Sequence, residues 1–157
     1  MKVRIGQGID AHKIKKGDFI ILGGVKIPAP FSLEGYSDAD VLLHAVTDAL
    51  LGSVSDYDIG YYFPPGIKEN KNRDSKDFIL FAKSKVKECG FSIGNLDCTI
   101  ICEKPKISDY REDIRKNISD LLEINLSQVS IKATTTEKLG FTGREEGIVA
   151  TAVVLVS

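Results

Sequence analysis

The sequence predicts an α/β (α+β) fold: a single-domain two-layer sandwich in which a mixed β-sheet carries helices on one face. Three observations lead there. β-rich runs open and close the chain, helix-periodic segments lie between them, and the last apolar run fills both of its faces, as a strand does when it is central or covered on both sides. The 157 residues are expected to form one domain, residues 1–157, with 43% apolar content to supply one core.

Residues 2–9 and 19–27 read as two opening strands joined by a turn or short loop at Lys15-Lys16-Gly17-Asp18, and Gly23-Gly24 is expected to bulge the second. Residues 40–51 are strong helix formers, with Ser37 or Asp38 as cap and Gly52 as stop. Residues 53–73 hold Gly60, Pro64, Pro65 and Gly66 without sustained periodicity and read as a long loop of the kind that carries function or is disordered. Phe78, Ile79, Ala82, Val86 and Cys89 mark a helix between Ser75 and Gly90. A strand follows, with Leu96, Cys98, Ile100 and Cys102 on one side. Tyr110, Ile114, Ile118 and Leu121 or Leu122 line a helix ending near Glu123 and Asn125. Strands over 129–133 and 148–156 complete the set.

Lys plus Arg (21) nearly balance Asp plus Glu (22), so no overall field favours nucleic acid or an anionic membrane. Any anionic ligand must be met locally. The first ten residues lack the apolar core of a signal peptide and the Arg/Ser-rich character of a transit peptide, and no run approaches the about 18 apolar residues of a membrane span. A soluble, cytoplasmic protein is expected. Cys89, Cys98 and Cys102 form an odd set without a CxxC pair, which fits a reducing compartment and free thiols, Cys98 and Cys102 serving as small buried residues.

Asp10 and His12 stand two apart, so a strand continuing through them presents both on one face. His44, the only other histidine, sits in a helix that is apolar nearly all round, where Asp40, His44 and Asp48 make a polar stripe at i, i+4 and i+8. Two histidines and an aspartate can hold a divalent zinc with one coordination position open, and Asp40 or Asp48 can orient an imidazole from behind. Spacing alone also admits a surface Asp10 and His12 with His44 as a hydrogen-bonded core residue. A second candidate is the thirteen-residue run KATTTEKLGFTGR (132–144), which groups hydroxyls, a carboxylate, glycines and cations after a strand. Such groups hold phosphate oxygens and a second hard cation. The same run also reads as a polar turn with a helix cap at Thr136.

KATTTEKLGFTGR resembles the signature of the 2-C-methyl-D-erythritol 2,4-cyclodiphosphate synthase family of the non-mevalonate isoprenoid pathway. RIGQGIDAH (4–12), LGGVKIP (22–28), SDADVLLHAVTDALLG (37–52), DIGYYFP (58–64) and GNLDCTIICEKPK (94–106) are similar to its other blocks, in the same order. The resemblance implies a lyase that converts 4-diphosphocytidyl-2-C-methyl-D-erythritol 2-phosphate into the 2,4-cyclodiphosphate with release of CMP. It implies zinc on Asp10, His12 and His44, and magnesium or manganese helped by Glu137. Asp58 and Gly60 match the pocket for the erythritol hydroxyls, and Ser37 and Phe63 fall with the substrate-binding positions. Cys102, Lys106, Ile107, Ser108 and Ala133 match the stretch that encloses cytosine, and Thr134 and Thr135 the phosphate contacts, Thr135 with a catalytic role. A homotrimer with active sites between subunits is implied too. Its central cavity, where some members bind isoprenoid diphosphates, would lie near Phe141 and Arg144, Phe141 also counting as near the substrate.

The chain departs from the common family pattern at three positions. Tyr36 stands where a histidine usually faces the reacting phosphate; tyrosine donates a hydrogen bond but brings no imidazolium charge. Gln7 replaces a frequent histidine beside the metal strand, and Pro65 a frequent aspartate. Two rival readings of the metal residues are a zinc hydrolase that activates water and a non-catalytic, metal-stabilised oligomer that binds nucleotide.

Overall fold

The computed structural model describes residues 2–157. Strand β1 (Arg4–Lys15) is longer than the sequence suggests, because its pairing with the last strand continues through Asp10 and His12, opposite Ala150 and Ile148. The predicted second strand is two: β2 (Phe19–Leu22) and β3 (Val25–Pro28), an antiparallel pair apart from the main sheet. Gly23 and Gly24 are its two-residue turn, not a bulge. Both have positive φ, 60° and 75°, the arrangement whose twist matches that of the flanking strands and which glycine adopts without a Cβ clash. A short β4 (Ser32–Leu33) adds an edge to β1.

Helix α1 (Val41–Ser53) runs on through Gly52, its expected stop. Its cap is Asp40, whose carboxylate accepts from the Leu43 amide, and not Ser37 or Asp38. The expected long loop contains α2 (Ile59–Tyr62) and a 3-10 turn at Lys68–Asn70. Then come α3 (Lys76–Glu88), β5 (Ile93–Ile101), a 3-10 turn at Ile107–Asp109, α4 (Arg111–Leu122) and a 3-10 turn at Leu126–Gln128. Strand β6 (Val129–Thr134), a single turn of helix α5 (Gly140–Gly143) and β7 (Gly147–Val156) close the chain.

The main sheet is mixed, as expected, in the order β4-β1-β7-β5-β6, and only β5 and β6 run parallel. β7 is central. Ile148, Ala150, Ala152, Val154 and Val156 point from it into the core and are buried, while Val153 on the other side is 44% exposed. Ile5 and Ile9 of β1, on that same outer side, are 70% and 60% exposed. α1 lies across β1 and β7, α4 packs beside β6, and α3 rests against both helices. Cys98 and Cys102 are buried, and all three cysteines are free thiols.

The layers meet most closely where β1 passes under α1. A Cβ on Gly6 would stand 1.9 Å from the Ala49 carbonyl oxygen, and one on Gly8 2.0 Å from that of Ala45. Strand main chain therefore touches helix main chain directly. The contact sets the height of α1 over Asp10 and His12, the next two residues on that side of β1, and of His44, which directly precedes Ala45.

Candidate metal centre and adjoining clefts

Asp10 and His12 continue the helix-facing side of β1 begun by Gly6 and Gly8, and α1 brings His44 over them. Asp10 Oδ2 lies 2.8 Å from His12 Nε2 and 2.9 Å from His44 Nδ1, and the two nitrogens are 3.0 Å apart. His44 is buried, the other two half-buried. His12 Nδ1 lies 2.6 Å from the Glu34 carbonyl oxygen. A carbonyl can only accept, so Nδ1 carries a hydrogen; in the neutral ring Nε2 then turns its lone pair toward Asp10 and His44, and in the charged ring it donates to Asp10. Tetrahedral ligands about 2.0–2.1 Å from zinc stand about 3.3 Å from one another, so this triangle needs to widen by only a few tenths of an ångström to take the ion. The donor set fits a divalent metal.

The electrostatics agree. Burial alone would raise the Asp10 carboxyl, but hydrogen bonds and charge from His12 and His44 outweigh it and hold the group well below the usual carboxylate range. Burial likewise opposes charge on His12, yet the hydrogen bond and charge of Asp10 prevail and raise it. The cluster favours a positive charge at its centre.

The polar stripe of α1 divides differently from expectation. Asp40 is fully buried, and its carboxylate accepts from the amides of Gly23, Gly24 and Leu43. Asp48 accepts from the Ile59 amide, 2.8 Å away, and holds the start of α2. Neither hydrogen-bonds an imidazole. The groups that do so are others: Ser75 Oγ, 2.9 Å from His44 Nε2, and the Glu34 carbonyl, both missed from the sequence, with Ser37 Oγ, expected as a cap or substrate contact, at 3.2 Å. Ser75 carried a signal only as a helix start.

Beside the cluster opens a cleft lined by His12, Tyr36, Ser37, His44, Gly60, Phe63 and Pro65. Tyr36 donates its hydroxyl to the Ile67 carbonyl, 3.0 Å away. Phe63 is held between Phe78 and the Arg73 guanidinium. Asp58 caps α2 through the Tyr61 amide and is not among the residues lining this cleft. A second cleft gathers Cys102, Lys106, Ile107, Ser108, Ala133, Thr134 and Thr135, together with Arg111, which the sequence had not singled out. Glu137, at φ 53°, accepts from the Thr135 hydroxyl at 3.3 Å. Thr136 caps no helix. Its amide and that of Lys138 donate to Glu103, an unpredicted carboxylate that pins this turn. Phe141 lines a third cleft with Ala11, His12 and Gly147, and Arg144 pairs with Glu146 at 2.9 Å.

A family model described as the YgbB family matches residues 3–157. The 2-C-methyl-D-erythritol 2,4-cyclodiphosphate synthase of Bacillus subtilis is 54% identical over 153 residues, 98% of this chain and 97% of that one. The enzyme of the same description from Shouchella clausii is 51% identical over 154 residues, again 98% and 97%. Among solved structures, the CDP complex of IspF from Plasmodium falciparum is 39% identical with a TM-score of 0.87, covering 98% of this chain and 95% of that chain.

Proposed function

The chain belongs to the YgbB family, and from that membership we propose how its residues perform the family's reaction. That reaction converts 4-diphosphocytidyl-2-C-methyl-D-erythritol 2-phosphate into 2-C-methyl-D-erythritol 2,4-cyclodiphosphate and CMP, and the enzyme is a phosphorus-oxygen lyase of isoprenoid biosynthesis. A 2-phosphate oxygen of the substrate attacks its own β-phosphorus. A new P–O–P link forms, the bond to the α-phosphate breaks, and CMP leaves with the bridging oxygen. No protein nucleophile is needed, so alignment and charge neutralisation supply the acceleration.

The observation that carries the reading is the convergence of Asp10, His12 and His44 at 2.8–3.0 Å on the wall of a cleft. These three would hold zinc, and Glu137 would help hold magnesium or manganese; such cations, when bound, draw charge from phosphate oxygens as Lewis acids. Gly60 and Phe63, with Asp58 at the start of α2, receive the erythritol end, and Ser37 stands beside His44. Cys102, Lys106, Ile107, Ser108 and Ala133 enclose cytosine, while Thr134 and Thr135 meet the phosphates. The CDP complex of the Plasmodium protein supports a cytidylyl ligand. Tyr36 offers a hydrogen bond where the reacting phosphate would lie.

Two features support a homotrimer whose active sites lie between subunits. The clefts of about 170 and 270 Å³ are each smaller than the about 300–1,000 Å³ of ligand sites, and they open separately. Across the sheet, β1 and β6 stand three strand spacings apart, about 14 Å. A neighbour's nucleotide cleft completes each metal cleft. The outer sheet face, with exposed Ile5, Ile9 and Val153, supplies apolar surface for that assembly. Phe141 and Arg144 then approach the central cavity, where an isoprenoid diphosphate would bind. Three free thiols fit a reducing cytoplasm, and no helix among the described residues is long and apolar enough to cross a membrane.

Incubating zinc-loaded protein and magnesium with the cytidylyl substrate, followed by phosphorus NMR, tests the reading. CMP and cyclic diphosphate are expected. Inorganic phosphate would indicate a hydrolase instead, and absence of turnover a binding protein.

A further inference from the structure

We infer that Asp38 and Ser75 form a positioning pair that fixes His44 as its Nε2–H tautomer and so turns Nδ1 into a metal-ready lone pair. The inference rests on the metal reading above and concerns residues outside the three donors. Ser75 is completely buried at the start of α3. The Asp38 carboxylate accepts both its amide, at 2.8 Å, and its hydroxyl, and is held in turn by the Asp40 amide at 3.1 Å. A carboxylate has no hydrogen to return, so the Ser75 hydroxyl spends its single hydrogen on Asp38. Its oxygen can then only accept.

The group positioned to donate to it is His44 Nε2, 2.9 Å away. In the neutral ring Nε2 therefore carries the hydrogen, and Nδ1 turns its lone pair to Asp10 Oδ2 and His12 Nε2. His12 receives the same instruction from the Glu34 carbonyl. With both rings neutral, the imidazoles and the carboxylate thus aim lone pairs at one point, an arrangement that a cation relieves.

The helix does not need this serine as its cap: Ser75 already has helical φ and ψ of −65° and −12°, and Asp74 Oδ1 accepts from the Lys76 amide at 2.9 Å. The Ser75 side chain is left to serve the ring.

Long-range proton–nitrogen NMR of the metal-free protein reads the tautomers directly, and chelator competition reads zinc affinity. At a pH high enough that both rings are neutral, wild type is expected to show His44 hydrogenated at Nε2 and His12 at Nδ1. Ser75→Ala should mix the His44 tautomers, leave the His12 signals in place, and weaken zinc binding about 10- to 100-fold. Asp38→Asn, which preserves size, should free the serine hydroxyl to donate and shift His44 the same way. Hydrogen on Nδ1 in wild type, or both variants keeping the wild-type tautomer and zinc affinity within about twofold, would overturn the inference. Failure of wild type to bind zinc would sink the metal reading instead, while the tautomer spectrum would still decide the pair.

Discussion

Replacing Gly8 with alanine tests whether main-chain contact sets the metal geometry. The new Cβ would meet the Ala45 carbonyl oxygen at 2.0 Å and the Ala49 amide nitrogen at 2.8 Å, whereas real contacts scarcely fall below 3.0 Å. Both obstacles are helix backbone, so no rotamer change relieves the clash. α1 must recede by about 1 Å or β1 must bend by as much, an overpacking cost of about 3 kcal/mol. In a domain of this size that lowers Tm by about 6–12 °C. His44 precedes Ala45 and moves with it, so its distance to Asp10, now 2.9 Å, would open to about 4 Å, beyond the about 3.3 Å that two zinc ligands tolerate. Zinc affinity of the folded variant should fall more than about 100-fold, beyond the usual effect of losing an outer hydrogen bond. Chelator competition at a temperature where the variant is folded measures this, and thermal denaturation measures the strain. A Gly8→Ala protein that melts within about 2 °C of wild type and keeps its zinc would refute the reasoning.

Gly52, in the same helix, predicts the opposite response: its Cβ would find nothing nearer than the Gln7 carbonyl oxygen at 3.8 Å, so Gly52→Ala should stabilise by about 0.5–1 kcal/mol in a denaturant titration. His44→Ala should abolish stoichiometric zinc and turnover while circular dichroism stays native; retained zinc would refute the ligand set. Burial pushes the Asp40 carboxyl up to about 6 against three amide donors. Between about 4 and about 6 the native state then holds a proton that the unfolded chain has released, so stability falls as pH rises through that window, by about 3 kcal/mol in all. Asp40→Asn in metal-free protein should flatten this slope, and parallel wild-type and variant slopes would count against the assignment.

Elements whose apolar residues repeat with a clear period were legible in the sequence: α1, apolar nearly all round, and β7, apolar on both faces, stand where expected. Boundaries were harder where polar function interrupts the pattern. The apolar run of β1 ends at Ile9, where Asp10 and His12 break it, but strand pairing needs only backbone amides and carbonyls, and these continue opposite β7. Gly23-Gly24 within a β-rich run fits a bulge as well as a turn until a pairing partner is known. The metal ligands were half legible, since D-x-H shows a shared face but not what stands across from it. The stripe Asp40–His44–Asp48 misled for a simple reason. It fixes direction around the helix, not height along it, and four residues rise about 6 Å. One turn from His44 the carboxylates meet other neighbours, the β2–β3 turn on one side and α2 on the other. The nucleotide segment was read from family resemblance; its chemistry alone left a plain polar turn open.

The Asp40 carboxylate has a consequence for how the molecule opens. It joins the turn of β2–β3 to the first turn of α1, elements seventeen residues apart from Gly23 to Asp40, through the amides of Gly23, Gly24 and Leu43. Undocking the hairpin would strand a buried carboxylate at the helix end, and fraying the helix would strand two glycine amides. Neither event can proceed far alone. The amides of Gly23, Gly24 and Leu43 should therefore exchange with solvent deuterium through one shared opening, making hairpin and helix start a single cooperative unit despite their separation along the chain.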